Sequence, residues 1–271
     1  MINNTKKLSW EEAVVWLRSK PEHSELVRNC FYDDPLAASA ERYYHSTEWN
    51  AVRSLMNGYR KGTALDLGAG RGISSYALAR DGWHVTALEP DKSSLVGSQA
   101  IRSLAAETRL HITVVEEWGE KLPFADGSFD LVHARQVLHH ARDLAALCRE
   151  TYKVLRPGGI LLATREHVIS RKKDLNIFLD THPLHHLYGG ENAYLLREYK
   201  DCLRAAGFVI TSILNPFQSD INLFPETREQ IRRRFMLSSF PNWLVDPFLG
   251  FLGKLIRTPG RLYSFICRKP K

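Results

Sequence analysis

The run Ala64-Leu65-Asp66-Leu67-Gly68-Ala69-Gly70-Arg71-Gly72 constrains this chain more than any other segment. A short apolar stretch carries an acid near its end, and glycines at 68, 70 and 72 follow at once. The pattern reads as a buried strand turning sharply into a helix, because glycine permits backbone conformations and close approaches that a Cβ forbids. Backbone N–H groups at such a turn, with the positive end of the next helix, form a cradle for a ligand. The turn alone does not select that ligand, since nicotinamide- and flavin-binding folds use a similar device. Two details narrow the choice. The spacing is G-x-G-x-G rather than G-x-G-x-x-G, and Asp66 stands two residues before the first glycine. A carboxylate there repels a pyrophosphate and suits the ammonium group of an amino-acid-bearing cofactor.

From Lys61 onward, short apolar runs alternate with helical patterns, which predicts βα units and a mostly parallel sheet. Strands are expected at Thr63–Leu67, His84–Glu89, Ile112–Glu117, Asp130–Arg135, Gly159–Thr164, Phe208–Leu214 and Leu262–Arg268. Helical patterns fill about 71–81, 92–107, 141–155 and 191–206, the last closing at Gly207 as a helix-ending glycine does. Residues 1–60 read as an N-terminal helical segment or lid, and 61–271 as the main domain. Two stretches break the alternation, 168–190 and 215–260. Insertions of this length are often functional lids. Each leaves the carboxyl end of a strand, where open parallel sheets bind ligands, so both are expected on the active-site side.

Four segments together resemble the class I S-adenosylmethionine-dependent methyltransferases, in particular the ubiquinone-biosynthesis-like (methyltransferase type 11) subgroup. The glycine run resembles their first motif. His84-Val85-Thr86-Ala87-Leu88-Glu89 resembles their second strand, whose terminal acid accepts hydrogen bonds from both ribose hydroxyls. The stretch Glu120 to Asp130 is similar to their LPF-x-D-x-SFD segment, and Val154-Leu155-Arg156-Pro157-Gly158-Gly159 to the turn before their fifth strand. The resemblance covers 60–165 well, and 191–214 with the last strand more loosely. It implies a Rossmann-like α/β fold, a seven-stranded mostly parallel sheet with the last strand antiparallel, and S-adenosyl-L-methionine as cofactor. The cofactor residues it implies are Asp66, Gly68, Ala69, Gly70, Gly72, Glu89, Pro90, Glu117, Trp118, Gly119, Arg135 and Gln136. The chain departs from the family at the adenine site, where Trp118 occupies the usual acid position. Either Glu117 takes the adenine amino group, or Trp118 flanks the ring and recognition is mostly by backbone.

Methyl transfer from a sulfonium needs positioning and exclusion of water more than activation, and a base only where the acceptor must lose a proton. His139 and His140, just beyond the fourth strand, stand where the family often has an active-site side chain, and are the catalytic candidates. The alternative is that one caps or packs the next helix. The run His182-Pro183-Leu184-His185-His186 lacks a regularly spaced Cys or acid beside it apart from Asp180, so no metal is expected and the histidines read as loop or substrate-lining groups. Tyr43 and Tyr44 read either as an aromatic lid over the cofactor or as helix packing. Nucleic acid as substrate is unsupported: Asn215-Pro216-Phe217 follows the wrong strand for an adenine-N6 enzyme, and no Pro-Cys pair stands where a cytosine-C5 enzyme needs one.

The net charge of +7 is concentrated in the last quarter: from Asn215 on, ten Lys/Arg face four acids. Arg232-Arg233-Arg234 precedes a run rich in Phe, Trp and Leu that Pro241, Asp246 and Pro247 interrupt, so it is too broken to span a bilayer. It reads as a lid on the acceptor pocket with its apolar residues protected, as a peripheral membrane contact through 231–257, or as a homodimer contact. Met1–Lys20 lacks the apolar core of a signal peptide, and the four cysteines are scattered, both of which suit a cytoplasmic protein, in the second reading one peripheral to a membrane. The expected function is methyl transfer to oxygen or nitrogen of a small or amphipathic, lipid-like acceptor. The alternatives are an inactive cofactor-binding partner subunit, or a nicotinamide-dependent oxidoreductase, which Asp66 and the glycine spacing disfavour.

Overall fold

The computed structural model of the protein describes residues 7–271, so the first six residues of the N-terminal reading lie outside it. The apolar run before the glycines forms β1 (Thr63–Leu67), buried after its first residue and central to the sheet. In chain order the other strands are β2 (His84–Leu88), β3 (Ile112–Val115), β4 (Phe129–Arg135), β5 (Leu155–Ile169), β6 (Tyr194–Leu195), β7 (Val209–Leu214) and β8 (Arg261–Arg268). They lie in the order β3-β2-β1-β4-β5-β8-β7, with the two-residue β6 pairing β5 off this path. All pairings are parallel except those of β8, which runs antiparallel to both β5 and β7. The expected seven strands, last one reversed, are therefore present, and β6 is the addition.

Four helices precede the sheet: α1 (Trp10–Arg18), α2 (Ser24–Asn29), α3 (Leu36–Tyr44) and α4 (Thr47–Leu55). Their starts follow from side-chain caps. The Ser9 hydroxyl accepts the Glu12 N–H at 3.2 Å while Glu12 accepts the Ser9 N–H at 2.7 Å, and Ser46 caps α4 through the Trp49 N–H. Then come α5 (Ile73–Arg80), α6 (Ser98–Thr108) and α7 (Leu144–Val154). The pattern at 92–107 is helical only from Ser98, because the Ser93 hydroxyl accepts the N–H groups of Leu95 and Val96 and holds a turn there. Later helices are α8 (Asp174–Thr181), α9 (His185–Tyr188), α10 (Leu196–Ala205), α11 (Asp220–Leu223), α12 (Arg228–Arg234) and α13 (Asn242–Leu255). α10 begins five residues later than the 191–206 pattern because Tyr194 and Leu195 pair with β5 instead.

Two apolar layers sandwich the sheet. On one face Leu65, Val132 and Leu161 pack with Leu147 of α7 and Leu203 of α10. On the other, Ala64, Leu131 and Ile160 pack with Tyr43 of α3, Trp49 of α4 and Leu78 of α5. Strand β5 runs five residues beyond its expected end and takes the first two residues of the 168–190 stretch. A register shift against β8 between Ala163 and Glu166, with Arg165 at φ +61°, bends it there. Such bulges re-aim side chains next to functional sites.

Candidate functional site

The carboxyl ends of β1, β2, β4 and β5 open on one cavity of about 680 Å3. A drug-sized ligand needs roughly 300–1,000 Å3. At one end the chain turns from β1 to α5 through Gly68 at φ +65° and Gly70 at φ +55°. A Cβ on Gly68 would lie 2.8 Å from a Val137 methyl, so the turn packs directly on the β4 loop. Around the Cβ position of Gly70 nothing stands within 4 Å, which leaves its backbone bare to the cavity. Ala69 lines the same wall. Gly72 does not: at φ +86° it forms the N-cap of α5 and packs on Ile101, so its role is to start the helix.

Glu89 follows β2 directly and lines the cavity. One carboxylate oxygen accepts the Gly70 N–H at 2.7 Å and the other the Asp91 N–H at 2.9 Å. These bonds tie the second strand to the glycine turn and leave a lone pair on each oxygen for further donors. Burial pushes the Glu89 carboxyl up to about 7 against the pull of those two N–H groups. Asp66 is buried beside it, with Oδ2 accepting the Ser75 hydroxyl at 2.5 Å and Oδ1 3.6 Å from His133 Nδ1.

Pro90, Trp118 and Gly119 line the next part of the wall. Only glycine fits at 119, where a Cβ would lie 2.5 Å from a Leu147 methyl. Trp118 is 58% exposed at the rim, with the Arg142 guanidinium 5.2 Å over its ring. Glu117 is exposed and lies outside the wall.

The two residues expected at the end of β4 divide their roles. Gln136, at φ +58°, lines the cavity, and its N–H donates to the Thr164 carbonyl. Arg135 also borders the cavity, but its guanidinium donates to both oxygens of the fully buried Glu48 on α4, at 2.6 and 3.0 Å. Arg165 stands 3.7 Å from the same carboxylate. These cations outweigh burial and hold Glu48 below the usual carboxylate range. Arg135 is thus a clamp between the N-terminal helices and the sheet. Arg71 does similar work, donating to the Phe31 and Asp33 carbonyls and to Asp34. Tyr43 and Tyr44 stay out of the cavity: Tyr43 packs against Phe31 and Trp49, and Tyr44 against Tyr76. The N-terminal aromatics that do line it are Trp10, Phe31 and Tyr32.

The far end is rich in histidine. Its centre is His139, 1% exposed and on the cavity wall. Its Nδ1 lies 2.7 Å from a carboxylate oxygen of Glu166, which also accepts the N–H groups of Val137, Leu138 and His139. So many donors around it make Glu166 an acceptor, so Nδ1 of His139 carries the proton and Nε2 presents its lone pair to the cavity. Burial pushes Glu166 up to about 7 and drives His139 well below the usual imidazole range. His140 also lines the cavity but is partly exposed, with Nδ1 on the Gly190 carbonyl at 3.0 Å. His167, His182 and Glu191 complete this end, with Pro183, Leu184 and Tyr188 from the 168–190 insertion. His185 and His186 do not line it.

Glu166, His167 and Glu191 have no counterpart among the sequence candidates. The apolar His167-Val168-Ile169, continuing the strand pattern past Thr164, was the available signal for the first two. The 215–260 segment begins and ends at the expected edge but contributes no side chain to the wall; α11 instead supports Arg165 through the Ile221 and Phe224 carbonyls. Nor are its apolar residues protected: Trp243 is 75% and Phe251 58% exposed. Ile221 is buried in the main core, and Ile231, Val245 and Leu249 are buried under Phe217, Leu223 and Leu252. Arg233 and Arg234 lie toward solvent, whereas Arg232 is half-buried and donates to the Asn242 side chain and the Phe240 carbonyl.

A family profile described as a methyltransferase domain matches residues 65–163. A dimethylglycine N-methyltransferase of Parasynechococcus marenigrum (strain WH8102) is 33% identical over 134 residues, 49% of this chain and 46% of its own. A ubiquinone biosynthesis O-methyltransferase of Methylobacterium sp. (strain 4-46) is 33% identical over 101 residues, 37% of this chain and 39% of its own. The matched part spans less than half the length of these relatives. Geranyl diphosphate C-methyltransferase of Streptomyces coelicolor A3(2), solved with Mg2+, geranyl diphosphate and S-adenosyl-L-homocysteine, aligns with a TM-score of 0.61 at 18% identity. That alignment covers 92% of this chain and 86% of the other, and at such identity it is a likeness of fold. Residues 65–163 thus match a methyltransferase domain, and the sheet that carries them has the fold of solved methyltransferases.

Proposed function

We propose that the protein transfers a methyl group from S-adenosyl-L-methionine to an oxygen or nitrogen atom of a small or amphipathic acceptor. The observation that carries this reading is one continuous cavity with a glycine turn and Glu89 at one end and, at the other, imidazoles among which burial favours the neutral form of His139 and His167. The cofactor end fits its ligand: the backbone of Gly70 is open, and Glu89 keeps two lone pairs for ribose hydroxyls. Gly68, Ala69 and Gly70 would hold the amino-acid part with Asp66, and Pro90, Trp118 and Gly119 the adenine. Bound there, S-adenosyl-L-methionine supplies a methyl already activated on sulfonium. The chain's task is then to align the acceptor and keep water away. Trp10, Phe31, Tyr32 and Tyr188 give the acceptor end apolar walls, and His139, oriented by Glu166, presents a lone pair to the acceptor's heteroatom. In this reading the N-terminal helices and the 168–190 insertion act as its lid. Mass spectrometry of cell extracts incubated with the protein and isotopically labelled S-adenosylmethionine tests it. A labelled product identifies the acceptor; cofactor binding without any labelled product favours the inactive partner subunit.

For the 215–260 segment we propose an anionic membrane surface as the partner. Leu244, Phe248, Phe251 and Leu255 recur at helical spacing along the outer face of α13, all exposed, with Phe240 and Trp243 at its start. Lys254 and Arg257 are exposed at the end of α13, and Arg233 and Arg234 are exposed on α12, paired with Glu229 and Glu226. Exposed apolar side chains in a segment with this excess of cations complement an interface of acyl chains under anionic headgroups. Among the described residues no helix is long and apolar enough to cross a membrane, so the contact would be peripheral. A lipid-like acceptor would then be within reach. The four free cysteines suit the cytoplasmic side.

A further inference from the structure

His139, His167 and Glu191 come from three places in the chain, the turn after β4, the extended end of β5 and the loop before β6. Their ligand atoms nevertheless lie within 4.8 Å of one another, and all three side chains are buried. The imidazoles are set up alike. His139 gives its Nδ1 proton to Glu166, and His167 gives its own to the Gly260 carbonyl at 2.7 Å. Both rings therefore offer the unprotonated Nε2 inward. Glu191 is held on its other oxygen by the Tyr188 hydroxyl. Its Oε2 faces His139 Nε2 at 3.7 Å, His182 Nε2 at 3.9 Å and His140 Nε2 at 4.0 Å. These separations are too long for hydrogen bonds. Two donors about 2.0–2.1 Å from one tetrahedral ion stand roughly 3.3 Å apart; the His139–Glu191 pair is at 3.7 Å and the whole trio within 4.8 Å, so a small inward shift would complete the set.

We propose that His139, His167 and Glu191 bind a divalent first-row transition-metal ion at the acceptor end of the cavity, with His182 beside it. Three arguments converge. The donor set, two imidazoles and one carboxylate, suits zinc or ferrous iron rather than magnesium or calcium, which take oxygen. Each imidazole already has the carboxylate or carbonyl partner that metal-bound histidines need to fix their tautomer. Three protein ligands leave a position open, as catalytic metal sites do, and all three line the cavity. The regular-spacing argument in the sequence concerns the run 182–186 and does not reach this trio, whose members are far apart in the chain. Of that run only His182 comes near, with Nε2 3.9 Å from Glu191 Oε2. The inference rests on the methyl-transfer reading for its purpose. With the ion bound, the His139 lone pair goes to the metal, and the acceptor's heteroatom meets His139 through the ion rather than directly. That narrows the acceptor to a molecule with a metal-ligating hydroxyl, amine or carboxylate. The ion's binding does not depend on that reading.

The test uses the full chain, stripped with a chelator and then titrated with Co2+ by visible absorption and with Zn2+ by calorimetry, without cofactor. The expected result is saturation at one ion per chain and a Co2+ absorption band of low-symmetry coordination. Glu191→Gln and His167→Ala should each weaken Zn2+ binding by at least about tenfold. Their unchanged melting in chelator would show that the fold is kept, and His185→Ala should bind as the parent does. Absence of saturable binding by the parent chain overturns the proposal, whether or not any variant folds. So does a folded Glu191→Gln that binds as tightly as the parent. A failed metal titration alongside intact S-adenosylhomocysteine binding would reject the ion and leave the methyltransferase reading standing. The reverse pair of results would do the opposite.

Discussion

Glu166 and His139 are joined twice, by the Nδ1 contact at 2.7 Å and by the His139 backbone N–H at 3.0 Å, so one carboxylate fixes both the ring and the turn that carries it. This geometry separates the two ends of the cavity functionally. His139→Ala should lower methyl transfer by about a hundredfold or more and leave S-adenosylhomocysteine affinity within about twofold. Glu166→Gln should cost about 10–100-fold in turnover. Parallel loss of cofactor affinity and turnover in either variant would show that the ends are not separate.

Cofactor binding should depend on pH through Glu89. A free glutamate titrates near 4.3, whereas burial holds this one at about 7. Only the ionised form can accept from two ribose hydroxyls on top of its two backbone donors, so a proton competes with the cofactor. Affinity should be level above pH about 8 and fall towards about tenfold per unit below 7. Glu89→Ala should lose affinity by at least about tenfold and abolish that slope. Calorimetric titrations across the range decide it. A flat profile in the parent protein would mean that Glu89 is ionised throughout, or not a ligand.

Glu48 lies inside the protein with two guanidiniums around it. Glu48→Gln leaves both cations buried without a counter-charge, which should cost about 3–5 kcal/mol of stability. Thermal or urea unfolding would measure it. A loss below about 1 kcal/mol, the surface-pair range, would show that water reaches the pair.

Legibility in the sequence followed the range of the interactions. β1, its glycine turn and Glu89 are local features: a buried strand, a backbone that needs positive φ, and an acid at a strand end. Each keeps its meaning wherever the rest of the chain goes. Arg135 reads in the sequence as a cofactor contact because its position is legible there and its partner is not; Glu48 is 87 residues away on α4. The histidine end was half read for the same reason. His139 stood out, while Glu166 depends on where β5 ends, and Glu191 reaches the site only through the folding of the 168–190 insertion. In the 215–260 segment the apolar and basic residues were plain in the sequence. Which of them would be covered depended on α13 packing through Val245 and Leu249 rather than through Trp243 and Phe248.

The face of α13 gives a prediction at the membrane. The protein should float with vesicles of anionic phospholipid and not with neutral ones, and raised salt should release it because its cations are screened. Trp243→Glu with Phe248→Glu should abolish flotation and spare turnover of a water-soluble acceptor, since neither residue lines the cavity. Concentration-dependent dimers that these changes disperse, without any flotation, would assign the face to a second copy of the chain.

The central claim, that the glycine turn and Glu89 hold S-adenosyl-L-methionine, is tested most directly by calorimetric titration of the purified chain with S-adenosylhomocysteine and, separately, with NAD. Saturable binding of S-adenosylhomocysteine at one site per chain, weakened at least about tenfold in Glu89→Ala, with no heat from NAD, is the predicted result. Binding of NAD, or failure of a folded chain to bind S-adenosylhomocysteine, would contradict it.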